Sequence, residues 1–92
     1  MSIRKPVETF PPGEFLRDEL NARGWTTRDL ALRIGGDARE VAVNQLALDL
    51  LIHVRDPGIY VGEQLAEGLA RGLGTTATYW LNLDAAWHRS PA

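Results

Sequence analysis

The chain offers few side chains for catalysis or for holding a metal ion. Its two histidines, His53 and His88, are far apart in the sequence, and it has no cysteine. Its serines, Ser2 and Ser90, lie near the two ends. Nucleophilic catalysis needs a base beside the nucleophile, and a zinc site needs several converging ligands. The sequence therefore predicts no enzyme, no cofactor and no metal site.

Side chains of the types that contact nucleic acid are concentrated between residues 27 and 45. Arginine, asparagine and glutamine can form hydrogen bonds with base edges in the major groove of DNA, and arginine and threonine also contact phosphates. The carboxylates of Asp37 and Glu40 lie in the same stretch and would repel DNA, although Asp37 also has the position of a helix cap. The candidates for base contacts are Arg39, Asn44 and Gln45, and those for phosphate contacts are Thr27, Arg28 and Arg33.

The overall charge does not favour a nucleic-acid partner. With 92 residues, of which 45% are hydrophobic and 24% charged, the chain has the composition of one globular domain. Its formal net charge at pH 7 is −2. A small DNA-binding domain usually carries a surplus of basic residues, because phosphate neutralisation supplies much of its affinity.

The cellular compartment is indicated by three features that the sequence lacks, namely a signal peptide, a membrane-spanning run and cysteine. No apolar stretch typical of a signal peptide precedes Pro12. Asp49 and His53 interrupt the most apolar run, which is also too short to cross a bilayer. The absence of cysteine excludes a disulfide framework. We expect a cytoplasmic protein without a membrane partner.

Helical patterns follow one another along the chain, separated by glycine and proline, and no strand pattern is present. In the fourth segment, for example, Leu65, Leu69 and Leu73 repeat every four residues. We therefore predict an all-α fold. Its five helices are expected over residues 12–23, 27–34, 38–54, 61–73 and 76–88, with an extended arm at residues 1–11, a turn at residues 56–58 and a frayed tail at residues 89–92.

The predicted helix ends rest on capping residues. Threonine and aspartate satisfy the first backbone N–H groups of a helix, and glycine adopts the left-handed conformation that often ends one. The predicted N-caps are Thr26 (with Asp29 in the capping-box position), Asp37 and Thr75, and the predicted C-terminal glycines are Gly24 and Gly74.

The third predicted helix is apolar on two sides. With about 100° per residue, its two apolar faces lie about 140–180° apart. The face assigned to the core of the domain consists of Val43, Ala47, Leu50 and Val54. In a chain this small, the other apolar face is expected to be covered by another molecule. The predicted dimer or partner interface is therefore Val41, Leu48 and Ile52.

Three segments match motifs of a known family. A Pro-Gly-Glu-x-Leu-x-x-Glu-Leu segment is matched by Pro12, Gly13, Glu14, Leu16, Glu19 and Leu20, and a Gly-Trp-Thr segment by Gly24, Trp25 and Thr26. The third motif is matched by Leu69, Ala70, Leu73, Gly74, Thr75, Trp80, Leu81, Asn82, Leu83 and Ala86. With these motifs the chain resembles the Cro/repressor-type (XRE) helix-turn-helix superfamily and, within it, the HigA-type plasmid-maintenance antitoxins. The resemblance covers residues 11–37 and 58–88.

The resemblance implies a lambda-repressor-like domain at residues 12–88 that binds operator DNA as a homodimer. In that family the third helix enters the major groove, and the protein represses its own operon and can neutralise a cognate toxin. Between residues 36 and 57, however, this chain has a longer and more apolar helix than the family pattern. Two hypotheses therefore remain. We favour a DNA-binding repressor of antitoxin type, because the scaffold motifs match well and DNA-reading helices vary widely among true DNA binders. The alternative is a helix-turn-helix scaffold that binds protein through the apolar third helix, without specific DNA binding.

Overall fold

The computed structural model describes residues 10–54 and 60–89, and these residues form five α-helices and no strand. The all-α prediction is confirmed. The predicted turn at residues 56–58, the predicted arm up to residue 9 and the predicted tail from residue 90 lie outside the described residues. The helices are α1 (Pro12–Arg23), α2 (Thr27–Ile34), α3 (Ala38–His53), α4 (Glu63–Leu73) and α5 (Ala77–Arg89).

Four of the ten ends of the described helices are set by predicted caps. Thr26 and Asp37 each form a complete capping box, with Asp29 and Glu40 respectively. Gly24 and Gly74 end α1 and α4 in the left-handed conformation, with φ of 69° and 74°. These boundaries follow from hydrogen bonds between neighbouring residues, which is why the sequence alone predicts them.

The predicted cap of α5 is wrong by one residue. The hydroxyl of Thr76, not of Thr75, accepts the hydrogen bond from the backbone N–H of Tyr79. The Thr75 hydroxyl instead accepts a 2.8 Å hydrogen bond from Nε1 of Trp80, whose side chain is fully buried. A buried indole N–H needs an acceptor, and Thr75 supplies it.

One core joins all five helices. Each helix contributes one fully buried large side chain, namely Leu16, Leu30, Leu48, Leu69 and Trp80. Helix α3 packs against α1 and α2, while α4 packs against α2 and α5. The core is therefore shared by all parts of the described chain, and no helix is a separate unit.

Two helix pairs approach closely because glycine lies at the contact. A Cβ atom added to Gly13 would overlap the carbonyl oxygen of Leu51 and lie 2.7 Å from its carbonyl carbon. A Cβ atom added to Gly72 would lie 2.6 Å from Cδ1 of Leu30. Gly72 thus permits close packing between α4 and α2. The close approach between α1 and α3 depends on Gly13.

Two arginines reinforce the packing by binding the carboxyl ends of other helices. Arg17 of α1 donates a 3.1 Å hydrogen bond to the carbonyl oxygen of Ile52 near the end of α3. Arg23 donates a 2.9 Å hydrogen bond to the carbonyl oxygen of Leu73 at the end of α4. The last carbonyl groups of a helix have no partner within the helix and carry partial negative charge, so a guanidinium stabilises them.

The substitution Gly13→Ala is expected to destabilise the protein, because the new methyl group meets backbone atoms that cannot rotate away. Overpacking of this kind costs about 1–3 kcal/mol or more. The measurement is urea-induced unfolding followed by circular dichroism. Gly62→Ala is the control, since a Cβ atom there has nothing within 4 Å. Equal losses in the two variants would contradict the close α1–α3 contact.

Candidate interaction surface on the third helix

Helix α3 is the longest in the described chain, with 16 residues from Ala38 to His53. Its start is fixed by the capping box of Asp37 and Glu40, and a hydrogen bond from the N–H of Val54 to the carbonyl of Leu50 closes its last turn. Alanine and leucine, which are strong helix formers, occupy much of its interior.

The inward face of α3 consists of Val41, Leu48, Leu51 and Ile52, all of which are buried in the core. Three of these residues were predicted to form the dimer or partner interface, and that prediction is wrong. Leu48 is 0% exposed, so it cannot reach another molecule in the folded protein. Any contact of α3 with another molecule would have to use another side of the helix.

The outward face of α3 carries most of the residues that were assigned to the core. Val43 is 59%, Leu46 61% and Leu50 44% exposed. The core assignment of Val43, Leu50 and Val54 is therefore wrong, and Ala47 is only half-buried. We define the outward strip as the exposed residues that follow one another at steps of four and three along this face: Arg39, Val43, Leu46, Leu50 and His53.

Helical periodicity correctly predicts two apolar faces on opposite sides of α3. The face predicted to be buried is exposed, and the face predicted to bind a partner is buried. A signal for the correct choice is the position of Asp49, which lies next to Leu48 in the sequence and is half-buried. Its carboxylate accepts a 2.7 Å hydrogen bond from the hydroxyl of Thr27 at the start of α2. A polar residue that bonds to a neighbouring helix marks the side that packs, but its partner is not evident without the fold.

The six residues predicted to contact DNA do not share one environment. Arg28 and Arg39 are exposed, at the second residues of α2 and α3 respectively. Asn44 and Gln45 are half-buried, and only Arg39 belongs to the outward strip. The hydroxyl of Thr27 is bonded to Asp49, as described above.

Arg33 is held against the surface of its own domain. Its guanidinium carbon lies 3.8 Å from the centre of a Trp25 ring, a cation–π arrangement. Its Nη1 also donates a hydrogen bond of 3.3 Å to the carbonyl oxygen of Asp29. Arg33 is nevertheless exposed, and the hydrogen bond to Asp29 uses one of the five N–H groups of its guanidinium.

The amino-terminal end of α2 is acidic. Hydrogen bonds from the backbone and the hydroxyl of Thr26, together with the nearby charge of Arg33, hold the pKa of Asp29 below its ordinary value of 3.8. Asp29 is therefore negatively charged at neutral pH. The carboxylate of Asp49 approaches the same helix end through Thr27. A helix start normally attracts anions, but two carboxylates here reduce the attraction for a phosphate.

Asn44 lines a groove rather than the outward strip. The groove is open, has a volume of about 450 Å³ and lies between α3, α4 and the end of α2. Its lining residues are Ile34, Glu40, Asn44, Ala47, Gln64, Leu65, Glu67, Gly68 and Arg71. Asn44 and Glu40 thus face the space beside α4, which removes Asn44 from the surface on which Val43 and Leu46 lie.

In comparisons with known proteins, no family model, no curated protein and no solved structure matches the chain. Among the described residues, no group of three or more potential ligands could hold a metal ion. No helix in the described part of the chain is long and apolar enough to cross a bilayer.

The two leucines Leu46 and Leu48 provide a direct test of how α3 is oriented. Leu48→Ala is expected to lower the free energy of unfolding by about 2–5 kcal/mol, because it leaves a cavity in the core. Leu46→Ala is expected to change it by less than about 0.5 kcal/mol at low protein concentration, because Leu46 is exposed. Urea unfolding of both variants gives the comparison. A larger loss of unfolding free energy for Leu46→Ala than for Leu48→Ala would show that Leu46, and not Leu48, lies on the buried face of α3.

The depressed pKa of Asp29 predicts a pH dependence. Its folded-state pKa is lower than its unfolded value near 3.8, so the ionised form stabilises the fold. This stability is fully present above the unfolded pKa and is lost as the pH falls through the folded pKa. An NMR titration of the Asp29 carboxyl carbon should give a value below 3.8, and Thr26→Val should raise it. An unchanged value in Thr26→Val would exclude the hydroxyl of Thr26 as a cause.

Proposed function

We propose that this protein is a protein-binding module that acts through α3, built on a helical scaffold similar to that of the helix-turn-helix antitoxins. The observation that carries the proposal is the outward strip, in which three large apolar side chains are about half or more exposed. Apolar groups clustered on one side of a surface helix indicate a binding surface when they are rimmed by polar residues. Arg39 and His53 provide that rim at the two ends.

The chemistry of the strip supports a protein partner over DNA. Sequence-specific readout requires polar side chains that reach base edges, and Val43, Leu46 and Leu50 have no hydrogen-bonding group. Binding to the phosphate backbone requires basic residues, whereas Asp29 lies at the start of α2 and the carboxylate of Asp49 from α3 is bonded to Thr27 there. The whole chain also has a net charge of −2. An apolar helix face instead gains free energy by packing against another apolar surface.

A second candidate function is the DNA-binding repressor of antitoxin type, which the family resemblance implies. It would act in the cytoplasm as a lambda-repressor-like homodimer on operator DNA and could also bind a cognate toxin. Arg28 and Arg39 favour this candidate, because both are exposed near the starts of α2 and α3. Helix starts of this kind contact phosphates and base edges in helix-turn-helix proteins.

Site-specific photo-crosslinking tests the first proposal in the cells that produce the protein. A photoreactive phenylalanine analogue is placed at Leu46 in the outward strip or, as a control, at the exposed Asn82 of α5. We expect a discrete protein adduct from position 46 and none from position 82. If position 46 forms no protein adduct, or both positions label the same mixture of proteins, the protein-binding function is excluded.

A mobility-shift titration against the gene's own promoter separates the two candidates. The titration is carried out at two salt concentrations. The protein-binding function predicts that the affinity for the promoter is no better than the affinity for random DNA. The repressor candidate predicts specific, salt-dependent binding that Arg39→Ala weakens by about 1–3 kcal/mol if Arg39 contacts a base. Gln64→Ala is a matched control, since Gln64 is an exposed polar residue on α4. Specific binding that is sensitive to Arg39 alone would replace the first proposal with the second.

A further inference from the structure

We propose that the outward strip of α3 binds the same strip of a second copy of this chain, with the two helices antiparallel. This inference rests on the proposed function, because it names the partner of the same surface. It also differs from the interface that the sequence predicts, since Val41, Leu48 and Ile52 lie in the core.

The spacing of the strip suits a second helix. Its five residues follow one another at steps of four, three, four and three, which is the spacing of the contact positions in paired helices. Val43, Leu46 and Leu50 occupy the three central positions, and Arg39 and His53 occupy the ends. The apolar part is therefore limited to two helical turns, and the polar ends set where the pairing stops.

The charges beside the strip select a second copy in the antiparallel orientation. Arg39 lies at the amino-terminal end of the strip, and Asp49 lies beside its carboxyl-terminal end, one turn before His53. Antiparallel pairing about Leu46 brings Arg39 of each copy level with His53 of the other and one helical turn from Asp49. Asp49 is half-buried and accepts the hydrogen bond from Thr27, and its negative charge attracts the Arg39 of the other copy. Parallel pairing would bring the two Arg39 side chains together and would align the helix dipoles unfavourably.

Twofold symmetry then places Leu46 at the centre of the contact. In an isologous dimer each residue meets its counterpart or a symmetric pair of residues. With the axis beside Leu46, the Val43 side chain of one copy faces Leu50 of the other, and the two Leu46 side chains meet. Every large apolar side chain of the strip is thereby covered by an apolar partner, without any other protein.

The size of the strip predicts a dimer that depends on concentration. A stable protein interface usually buries about 800 Å² on each partner. The strip is a single helix face with three large apolar residues, which is small for that class. Monomer and dimer are therefore expected to exchange, and dilution should favour the monomer.

Disulfide trapping tests both the contact and its orientation, because the chain has no cysteine of its own. Leu46→Cys should form a covalent dimer under mild oxidation, and Asn82→Cys should not. A mixture of Val43→Cys and Leu50→Cys should form the mixed disulfide faster than either variant pairs with itself. Faster pairing of Val43→Cys with itself would indicate a parallel dimer and would overturn the proposed arrangement.

Sedimentation velocity over a range of concentrations provides the second measurement. The unmodified protein should shift from monomer to dimer as its concentration rises. Leu46→Glu should remain monomeric with an unchanged circular dichroism spectrum, Arg39→Asp should weaken the dimer several-fold, and Asn82→Glu should behave like the unmodified protein. A Leu46→Glu variant that still forms dimers would overturn the inference.

The two proposals can fail separately. If the unmodified protein is monomeric at all concentrations, and the photo-adduct at position 46 contains a different protein, the second copy is excluded while the protein-binding function stands. If position 46 gives no protein adduct at all and the protein is monomeric, both are excluded. An adduct of twice the chain's mass, together with the Leu46→Cys dimer, supports both.

Discussion

The close contact between α1 and α3 at Gly13 is the constraint on which the rest of the structure depends. With no side chain at Gly13, the backbone of α1 can approach the carbonyl group of Leu51. The guanidinium of Arg17 then reaches the carbonyl oxygen of Ile52. On another side of α3, the Thr27 hydroxyl binds the carboxylate of Asp49. Contacts with two different helices therefore fix the rotation of α3 about its own axis.

That rotation determines the chemistry of the molecular surface. With Leu48 and Ile52 turned into the core, the side of α3 that carries Val43, Leu46 and Leu50 faces outward. The same packing directs Asn44 to the groove beside α4 and draws Asp49 towards the start of α2. An apolar helix face beside an acidic helix start is suited to a protein partner, and both proposals made for α3 follow from this one orientation.

Several helix boundaries could be predicted from the sequence because they depend on neighbouring residues, whereas α4 begins at Glu63 and not at the predicted residue 61. Thr26 and Asp37 cap helices through bonds that span three residues, and Gly24 ends α1 through its own backbone conformation. Among the predicted N-caps of the described helices, only Thr75 is wrong. Thr75 and Thr76 are equally good caps as residue types, and the choice is decided by the hydrogen bond between Thr75 and the indole of Trp80.

The sequence by itself determined that residues 10–54 and 60–89 form five helices and that the third has two apolar faces. It could not determine which face is buried, because helical periodicity gives only the angle between side chains on one helix. The burial of Leu48 and the exposure of Leu46 were decided by the tertiary structure. Contacts between residues far apart in the chain, such as Gly13 with Leu51, fix the rotation of α3 about its axis. Two leucines on the same helix therefore differ, because Leu48 packs in the core and Leu46 faces outward.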